Sequence, residues 1–190
     1  MSKIILASSS IYRQELLKRL PIKFTSTSPN INEARINDES FEDQARRLSN
    51  EKAEVISKTN PSAFVIGSDQ TAEFNNKEVR KPLSIENAFI QLSELSGQTL
   101  NFYSGICLKN IQKNISTDAV VKFSVTYKKL SEDQIKNYLK IEDPTQCVGS
   151  IKSEGLGITL LEEIRCNDPT AVIGLPLIEL SQMFEKYGVI

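Results

Sequence analysis

Short apolar runs suited to buried strands alternate with amphipathic helical segments along the whole chain, with no internal repeat and no Pro/Gly-rich linker. KIILA and AFVIGSD are runs of the first kind, and the segments between such runs carry apolar residues at helical spacing. This order favours an α/β fold, in which helices cover a sheet. We therefore predict one α/β domain over residues 1–190, without an internal boundary.

Serine residues mark several helix starts, because a serine hydroxyl can accept a hydrogen bond from the first turn. Asn75-Asn76 separates two alternating segments and predicts a hairpin, and Asp168-Pro169 predicts a turn. ITLLEEI and the segments around TLNFYSGICLK and AVVKFSVTY predict further strands. Helices are predicted after Ser8–Ser10, from Ser40 to about Asn60, from Ser84 to Gly97, from Ser131, and over Leu177–Tyr187.

The chain contains no histidine, which excludes Ser-His and Cys-His catalysis and every imidazole-ligated metal site. Any catalysis must therefore use carboxylates, lysines and hydroxyls. With 23 basic and 24 acidic residues, the net charge of -1 provides no excess field for binding a nucleic-acid backbone. Small anions fit this charge balance better than polymers do.

Cys107, Cys147 and Cys166 are odd in number, lie far apart and form no CxxC pair. This pattern argues against a disulfide framework and against a structural zinc site. The apolar runs are far shorter than the ~20 residues that a bilayer crossing requires, and MSKIILASSS lacks the apolar stretch of a signal peptide. We expect a cytoplasmic protein with no membrane partner.

Lys52 is the most informative single position, because helical spacing places it inside the apolar stripe of Phe41, Ala45, Leu48 and Val55. A lysine there either extends its stem to water at the edge of the core or points at an anion in a cleft. A buried ammonium without a partner is strongly unfavourable. The second interpretation therefore requires a carboxylate or a bound phosphate nearby.

Asp69 follows an apolar run and Gly67, at what we predict to be the carboxyl end of a strand, where ligands bind in open α/β sheets. A carboxylate there could hold a divalent cation, activate water or cap a turn. Ser8 and Arg13, near the start of the first helix, could bind phosphate, although the serines would equally serve as caps. Glu33 by itself reads as part of a solvated loop.

Nine segments follow the order and spacing of the Maf family of nucleotide pyrophosphatases, so the chain resembles that family over essentially its whole length. GSDQ, FYSG and CVGSIKSEG are most similar to the branch that acts on 7-methyl-GTP. Ile11, Arg80 and Val148 depart from the usual proline, glycine and alanine, and none of these changes removes a charged group. The segments are LASSSIYRQELL, INE, RRLSNEKA, VIGSDQ, RKPLSIENA, LSGQ, FYSG, VGSIKSEGLG and VIGLPL.

The resemblance implies an elongated mixed β-sheet flanked by helices, similar to inosine triphosphatases, with two lobes and a central cleft. It implies a homodimer that uses Mg²⁺ or Mn²⁺ to hydrolyse a nucleoside triphosphate to the monophosphate and diphosphate, with no nucleic-acid partner. The implied site residues are Asp69 as proton acceptor, Glu33, Lys52 and Lys81 in catalysis, Ser8 and Arg13 for phosphates, Tyr12, Gln70 and Glu154 for the base, and Glu33 and Asp69 for the metal.

Two other functions stay open at this point. One is a pyrophosphatase for dTTP, UTP or related pyrimidine nucleotides, which would share the catalytic residues and read a different base. The other is a nucleotide-binding regulator of cell division that needs no turnover. The second is harder to reconcile with two carboxylates and three cations in one site, since a sensor has no need of them.

Overall fold

The computed structural model describes residues 3–36 and 38–190, and its elements alternate between strands and helices as the sequence predicts. The described strands are β1 (Ile4–Ala7), β2 (Phe24–Ser26), β3 (Phe64–Phe74), β4 (Lys77–Glu78), β5 (Thr99–Asn110), β6 (Ile115–Tyr127) and β7 (Leu161–Cys166). The α-helices are α1 (Ile11–Leu17), α2 (Phe41–Thr59), α3 (Ile85–Leu95), α4 (Glu132–Ile141) and α5 (Leu177–Lys186). Three short 3-10 helices span Val148–Ser150, Leu156–Leu160 and Ala171–Ile173.

The strands form one mixed sheet in the order β2-β1-β3-β5-β6-β7, and β4 pairs with β3. β1 runs parallel to both β2 and β3, whereas β4 is antiparallel to β3 and β7 is antiparallel to β6. Parallel neighbours require a crossover, and α1 and α2 lie in the connections next to β1. The predicted α/β class, with a mixed sheet and flanking helices, is confirmed.

The chain divides into two compact units, and neither is a continuous segment. β3, β5 and β6 each continue from one unit into the other. The single domain predicted over residues 1–190 and the implied cleft stay predictions. Unit 1 contains the chain up to Gln70, Tyr103–Val121 and Asn167–Ile190, and unit 2 contains Thr71–Phe102 and Lys122–Cys166.

Helices cover both faces of the sheet in unit 1. Successive strand residues point to opposite faces, and apolar residues of β1 and β3 pack against helices on each face. Leu6 and Ile66 point to one face, where they pack with Leu17 of α1 and Phe184 of α5. On the other face, Ile5, Ala7 and Val65 pack with Ala53 and Ile56 of α2. In the described part of the chain, no helix is both long and apolar enough to cross a membrane.

Two glycines allow α2 to approach the sheet at backbone distance. A Cβ atom on Gly67 of β3 would lie 2.0 Å from the carbonyl oxygen of Ser49, and one on Gly105 of β5 would lie 2.3 Å from that of Ala45. No side chain fits in such a space. The close contact brings the middle of α2, with Lys52, directly over β3.

The predicted caps and the predicted hairpin are confirmed. The hydroxyls of Ser40, Ser84 and Ser131 each accept a hydrogen bond from the backbone N–H three residues later, as N-caps do. Asn75 and Asn76 have φ values of 52° and 60°, the two positive angles of a type I′ turn between β3 and β4. These features depend on neighbours in sequence, so the sequence determines them.

Three local predictions are wrong. Asp69 lies in the middle of β3, since the strand continues to Phe74 instead of ending at the aspartate. Val55 is 40% exposed, because only part of the predicted stripe of α2 faces the sheet. The first three residues of ITLLEEI belong to the 3-10 helix Leu156–Leu160, and β7 begins only at Leu161.

Candidate active site

Lys52 of α2 lies between two carboxylates. Its Nζ is 2.5 Å from Oδ1 of Asp69 and 2.7 Å from Oε1 of Glu33. Lys52 is 6% exposed and Asp69 is 7% exposed, whereas the side chain of Glu33 is 59% exposed. The ammonium therefore points at anions, and of the two interpretations of Lys52 the structure supports the second. A buried ammonium is stable only with counter-charges close by, and these two carboxylates supply them.

The burial of Asp69 raises the pKa of its carboxyl above the ordinary value. The positive charges of Lys52 and Arg13 act in the opposite direction, and the negative charge of Glu33 adds to the rise. Burial outweighs the two cations because most of the water that would solvate the carboxylate is excluded. A carboxylate with a raised pKa is a stronger base than a free aspartate, which suits a proton acceptor.

Arg13 of α1 is held by main-chain carbonyls. Its Nε donates to the oxygen of Gly174 at 2.8 Å, and its Nη1 donates to the oxygen of Ser68 at 2.9 Å. Burial lowers the pKa of Arg13, and the charges of Asp69 and Glu33 oppose this change. The guanidinium stays charged, because its ordinary pKa lies far above neutrality. Its orientation is fixed before any ligand binds.

Of the serine residues before α1, Ser10 is the helix cap, and Ser8 in turn binds the backbone of Ser10. The Ser10 hydroxyl accepts a hydrogen bond from the Arg13 N–H at 3.4 Å, and the Ser8 hydroxyl accepts one from the Ser10 N–H at 3.1 Å. Ser8 is buried, and its carbonyl oxygen accepts a hydrogen bond from the Ser26 hydroxyl of β2. Tyr12 is half-buried. The predicted phosphate role of Ser8 and the base role of Tyr12 stay predictions.

Gln70 follows Asp69 on β3, and its Nε2 donates to the carbonyl oxygen of Ala171 at 3.0 Å. The turn around Ala171 is held by Asp168, which is buried and accepts hydrogen bonds from Thr170 and from the N–H of Ile178 in α5. Sequence reasoning gives Asp168-Pro169 only as a turn. The aspartate in fact stabilises the turn that fixes both Arg13 and Gln70.

Arg47 holds the loop that carries Glu33, and sequence reasoning missed it. Its Nε and Nη2 bind both oxygens of Glu39 at 2.7 and 2.8 Å, and its Nη2 also donates to the carbonyl oxygen of Ala34 at 3.2 Å. A two-point contact between guanidinium and carboxylate is geometrically restrictive. The spacing of RRLSNEKA gives no signal for this contact, because Ala34 and Glu39 lie in an irregular loop.

Lys81 and Glu154 belong to unit 2, and both are exposed. Lys81 follows β4, and Glu154 lies just before the 3-10 helix Leu156–Leu160, where its Oε2 accepts a 3.4 Å hydrogen bond from the Ser153 hydroxyl. Within unit 1, the structure brings Glu33, Lys52 and Asp69 together as predicted. The roles predicted for Lys81 and Glu154 stay predictions.

Carboxylate oxygens are the ligand type that Mg²⁺ and Mn²⁺ prefer in proteins. Glu33 and Asp69 offer carboxylate oxygens from both sides of Lys52 Nζ, which contacts one oxygen of each group. Among the described residues, no cluster of three or more aspartate, glutamate or cysteine side chains could hold a metal ion. Mg²⁺ commonly binds one or two carboxylates and completes its shell with water and substrate phosphates. The metal role predicted for Glu33 and Asp69 stays a prediction.

Replacing Lys52 with Met is expected to move the acidic limb of the kcat/KM profile to higher pH. The Lys52 charge lowers the pKa of Asp69, so its loss lets burial raise that pKa further, and the carboxylate ionises only at higher pH. Kinetics across the pH range would check this shift. Lys58→Met on the exposed side of α2 is the control, and an unchanged limb in Lys52→Met would contradict the expectation.

The same substitution changes how stability depends on pH. A carboxyl whose pKa is higher in the folded state than in the unfolded state stabilises the fold below the unfolded value, and that contribution is lost as pH rises through the folded value. In Lys52→Met the pH range over which this contribution is lost extends upward, because the pKa of Asp69 in the folded state is higher. Urea unfolding at several pH values would therefore show the variant losing stability toward neutral pH.

A mixed-sheet α/β protein with a buried lysine between two carboxylates and a fixed arginine has the groups that enzymes use to act on phosphate anhydrides. Comparison with known proteins identifies the family of the chain. The chain belongs to the Maf family: the family profile described as Maf-like protein matches residues 3–187.

Three relatives are similar to this chain over nearly their full length, and each is named 7-methyl-GTP pyrophosphatase. The protein from Nitrosococcus oceani is 44% identical, with 97% of this chain and 93% of the relative covered. That from Pseudoalteromonas translucida is 43% identical, covering 97% and 92%. That from Methylobacillus flagellatus is 43% identical, covering 100% and 98%.

Two solved structures are also similar to this chain. The Staphylococcus aureus Ham1 protein aligns with a TM-score of 0.44 and 18% identity, covering 67% of this chain and 71% of that protein. A nucleoside-triphosphatase, dITP/XTP pyrophosphatase, from Mycobacterium abscessus aligns with a TM-score of 0.45 and 14% identity, covering 98% and 97%.

Proposed function

We propose that this protein is a nucleoside triphosphate pyrophosphatase that hydrolyses 7-methyl-GTP to 7-methyl-GMP and diphosphate. The observation that carries the proposal is the buried Lys52, whose ammonium joins Asp69 and Glu33 beside the fixed guanidinium of Arg13. The names of the relatives, at 43–44% identity over nearly the whole chain, support the choice of substrate. The three cysteines, all thiols in the described part of the chain, fit the cytoplasmic location that we include in the proposal.

In the proposed reaction, Asp69 accepts a proton from a water molecule as its oxygen attacks the α-phosphorus. The new bond joins that oxygen to the α-phosphorus, and the bond from the α-phosphorus to the oxygen bridging to the β-phosphate breaks. That bridging oxygen leaves with the electron pair as part of diphosphate. Arg13, Lys52 and Lys81 offset the negative charge that accumulates on the leaving group.

We include a divalent cation, Mg²⁺ or Mn²⁺, in the proposal, with Glu33 and Asp69 as its protein ligands. When bound, the cation would supply positive charge against the phosphate oxygens. The ammonium of Lys52 holds both carboxylates in place, since it contacts one oxygen of each. The fixed position of Arg13 adds a cation that does not need to move during the reaction.

Base recognition follows from the charge of the substrate. Methylation at N7 makes guanine cationic, so the carboxylate of Glu154 would complement the base and accept hydrogen bonds from its N–H edge. Because Gln70 Nε2 donates to the carbonyl oxygen of Ala171, the amide keeps Oε1 as the acceptor that it would offer to the base. Tyr12 would stack on the cationic ring, a contact worth about 1–2 kcal/mol when desolvated.

Replacing Glu154 with Ala is expected to reduce the preference for 7-methyl-GTP over UTP by about 10- to 100-fold while hydrolysis persists. The range corresponds to losing a charge-assisted hydrogen bond. Released diphosphate would be measured with 7-methyl-GTP, GTP, dTTP, UTP and CTP. Glu162→Ala, at another exposed position of unit 2, is the control. An unchanged preference in Glu154→Ala would count against this role.

The same panel tests the function as a whole. Wild-type protein with Mg²⁺ or Mn²⁺ should hydrolyse 7-methyl-GTP with the highest kcat/KM. A preference for dTTP or UTP would replace the proposed substrate and keep the proposed chemistry. If the protein releases diphosphate from none of the five nucleotides, the proposal is overturned. The predicted homodimer is also part of the proposal, and sedimentation of the purified protein would test it.

A further inference from the structure

Two amide side chains of α3 hold the backbone on either side of Lys81. Asn87 Nδ2 donates to the carbonyl oxygen of Pro82 at 2.9 Å, and Gln91 Nε2 donates to that of Arg80 at 3.0 Å. The carbonyls immediately before and after Lys81 are therefore both tied to one helix. The side chain of Lys81 is exposed, so these contacts fix the position of its backbone and not the packing of its side chain.

The amide of Gln91 is fixed at both ends. A carbonyl oxygen only accepts hydrogen bonds, so the NH₂ group of Gln91 must face Arg80, and its Oε1 must face a donor. Ser150 supplies that donor, because its hydroxyl lies 2.7 Å from Gln91 Oε1. Ser150, Gln91 and the carbonyl of Arg80 thus form a continuous hydrogen-bonded chain that ends next to Lys81.

The backbone of Ser150 is strained. Its φ is 56°, in the left-handed region that glycine adopts readily and serine does not, and the residue is 0% exposed. Gly149 has a φ of 76° and is fixed in turn, because its carbonyl accepts a 2.8 Å hydrogen bond from the buried Tyr127 hydroxyl. A glycine at position 150 would relieve the strain but would lose the hydroxyl that orients Gln91.

We propose that Ser150 and Gln91 are positioning residues that align Lys81 with the phosphates of the substrate. The inference rests on the proposed function, in which Lys81 offsets charge on the leaving group. Glu154 follows Ser150 by four residues in the same unit, so one segment both supports Lys81 and carries the carboxylate that reads the base. Ser150 and Gln91 therefore link the segment that recognises the base to the position of Lys81 within unit 2.

The test compares activity and stability in Ser150→Gly and Gln91→Met. Both variants should lower kcat for 7-methyl-GTP by about 10- to 100-fold, the range expected when a charged group is misplaced. Ser150→Gly should unfold close to the temperature of the wild type, because relief of the backbone strain offsets the loss of the hydrogen bond to Gln91. Ser93→Ala, which removes an exposed hydroxyl from the same helix, should change neither property.

A double-mutant cycle separates positioning from a general structural effect. If Gln91 acts through Lys81, adding Gln91→Met to Lys81→Ala should change kcat by less than about twofold. Equal losses with and without Lys81, or full activity in Ser150→Gly and Gln91→Met, would overturn the inference alone. A wild-type protein that releases no diphosphate would overturn the proposed function and this inference with it.

Discussion

Asp69→Asn is expected to lower kcat for 7-methyl-GTP hydrolysis by about 10²- to 10⁴-fold, the usual contribution of a general base. The amide has nearly the same shape as the carboxylate but cannot accept the proton of the attacking water. Lys52 keeps Glu33 as a partner at 2.7 Å, so the ammonium is not left without a counter-charge. Release of diphosphate at saturating substrate measures the effect.

The matched control is Asp118→Asn, which removes a part-exposed carboxylate paired with Arg46 in the same unit. Its kcat should equal that of the wild type. Thermal unfolding of both variants would separate loss of chemistry from loss of fold. Full turnover by Asp69→Asn would remove the aspartate from the role of proton acceptor, whatever its contact with Lys52.

Gly67→Ala is expected to destabilise the protein by about 3 kcal/mol, the upper end of the range for overpacking. The new Cβ would lie 2.0 Å from Ser49 O and 2.8 Å from Ala53 N, both backbone atoms that cannot rotate away. α2 must therefore move away from β3. Lys52 lies on α2 between these two positions, so its 2.5 Å contact with Asp69 should lengthen and activity should fall as well.

Urea unfolding measures the first effect as a lower midpoint with an unchanged slope. Gly188→Ala is the matched control, because Gly188 has a φ of 62° but no neighbouring atom within 4 Å of the position that an alanine Cβ would occupy. It should lose only about 1 kcal/mol from the left-handed backbone. If Gly67→Ala loses no more than Gly188→Ala, the close contact between α2 and β3 does not contribute to stability.

Features that depend on neighbouring residues were predictable from the sequence. The inward position of Lys52 follows from helical periodicity, and the caps at Ser40 and Ser131 follow from a three-residue spacing. The Asn75-Asn76 hairpin depends only on which residues tolerate positive φ. Each of these rules acts over a few residues, so one segment of chain contains all the information needed.

Contacts between distant segments could not be derived in this way. Nothing near Arg13 indicates that its guanidinium binds the carbonyl of Gly174, 161 residues later. β2 has only three residues, too few for an alternating pattern, and is stabilised by pairing with β1. That Glu33 reaches Lys52 was indicated by family resemblance, since its own segment reads as an ordinary solvated loop.

The hydrogen bond from Arg13 to Gly174 has a consequence for synthesis on the ribosome. Arg13 is translated 161 residues before Gly174, whose carbonyl accepts the hydrogen bond from its Nε. Until then Glu33, Lys52 and Asp69 can all be translated while the guanidinium has only one of its two carbonyl partners, that of Ser68. The final arrangement of the charges is therefore completed only after translation has passed residue 174.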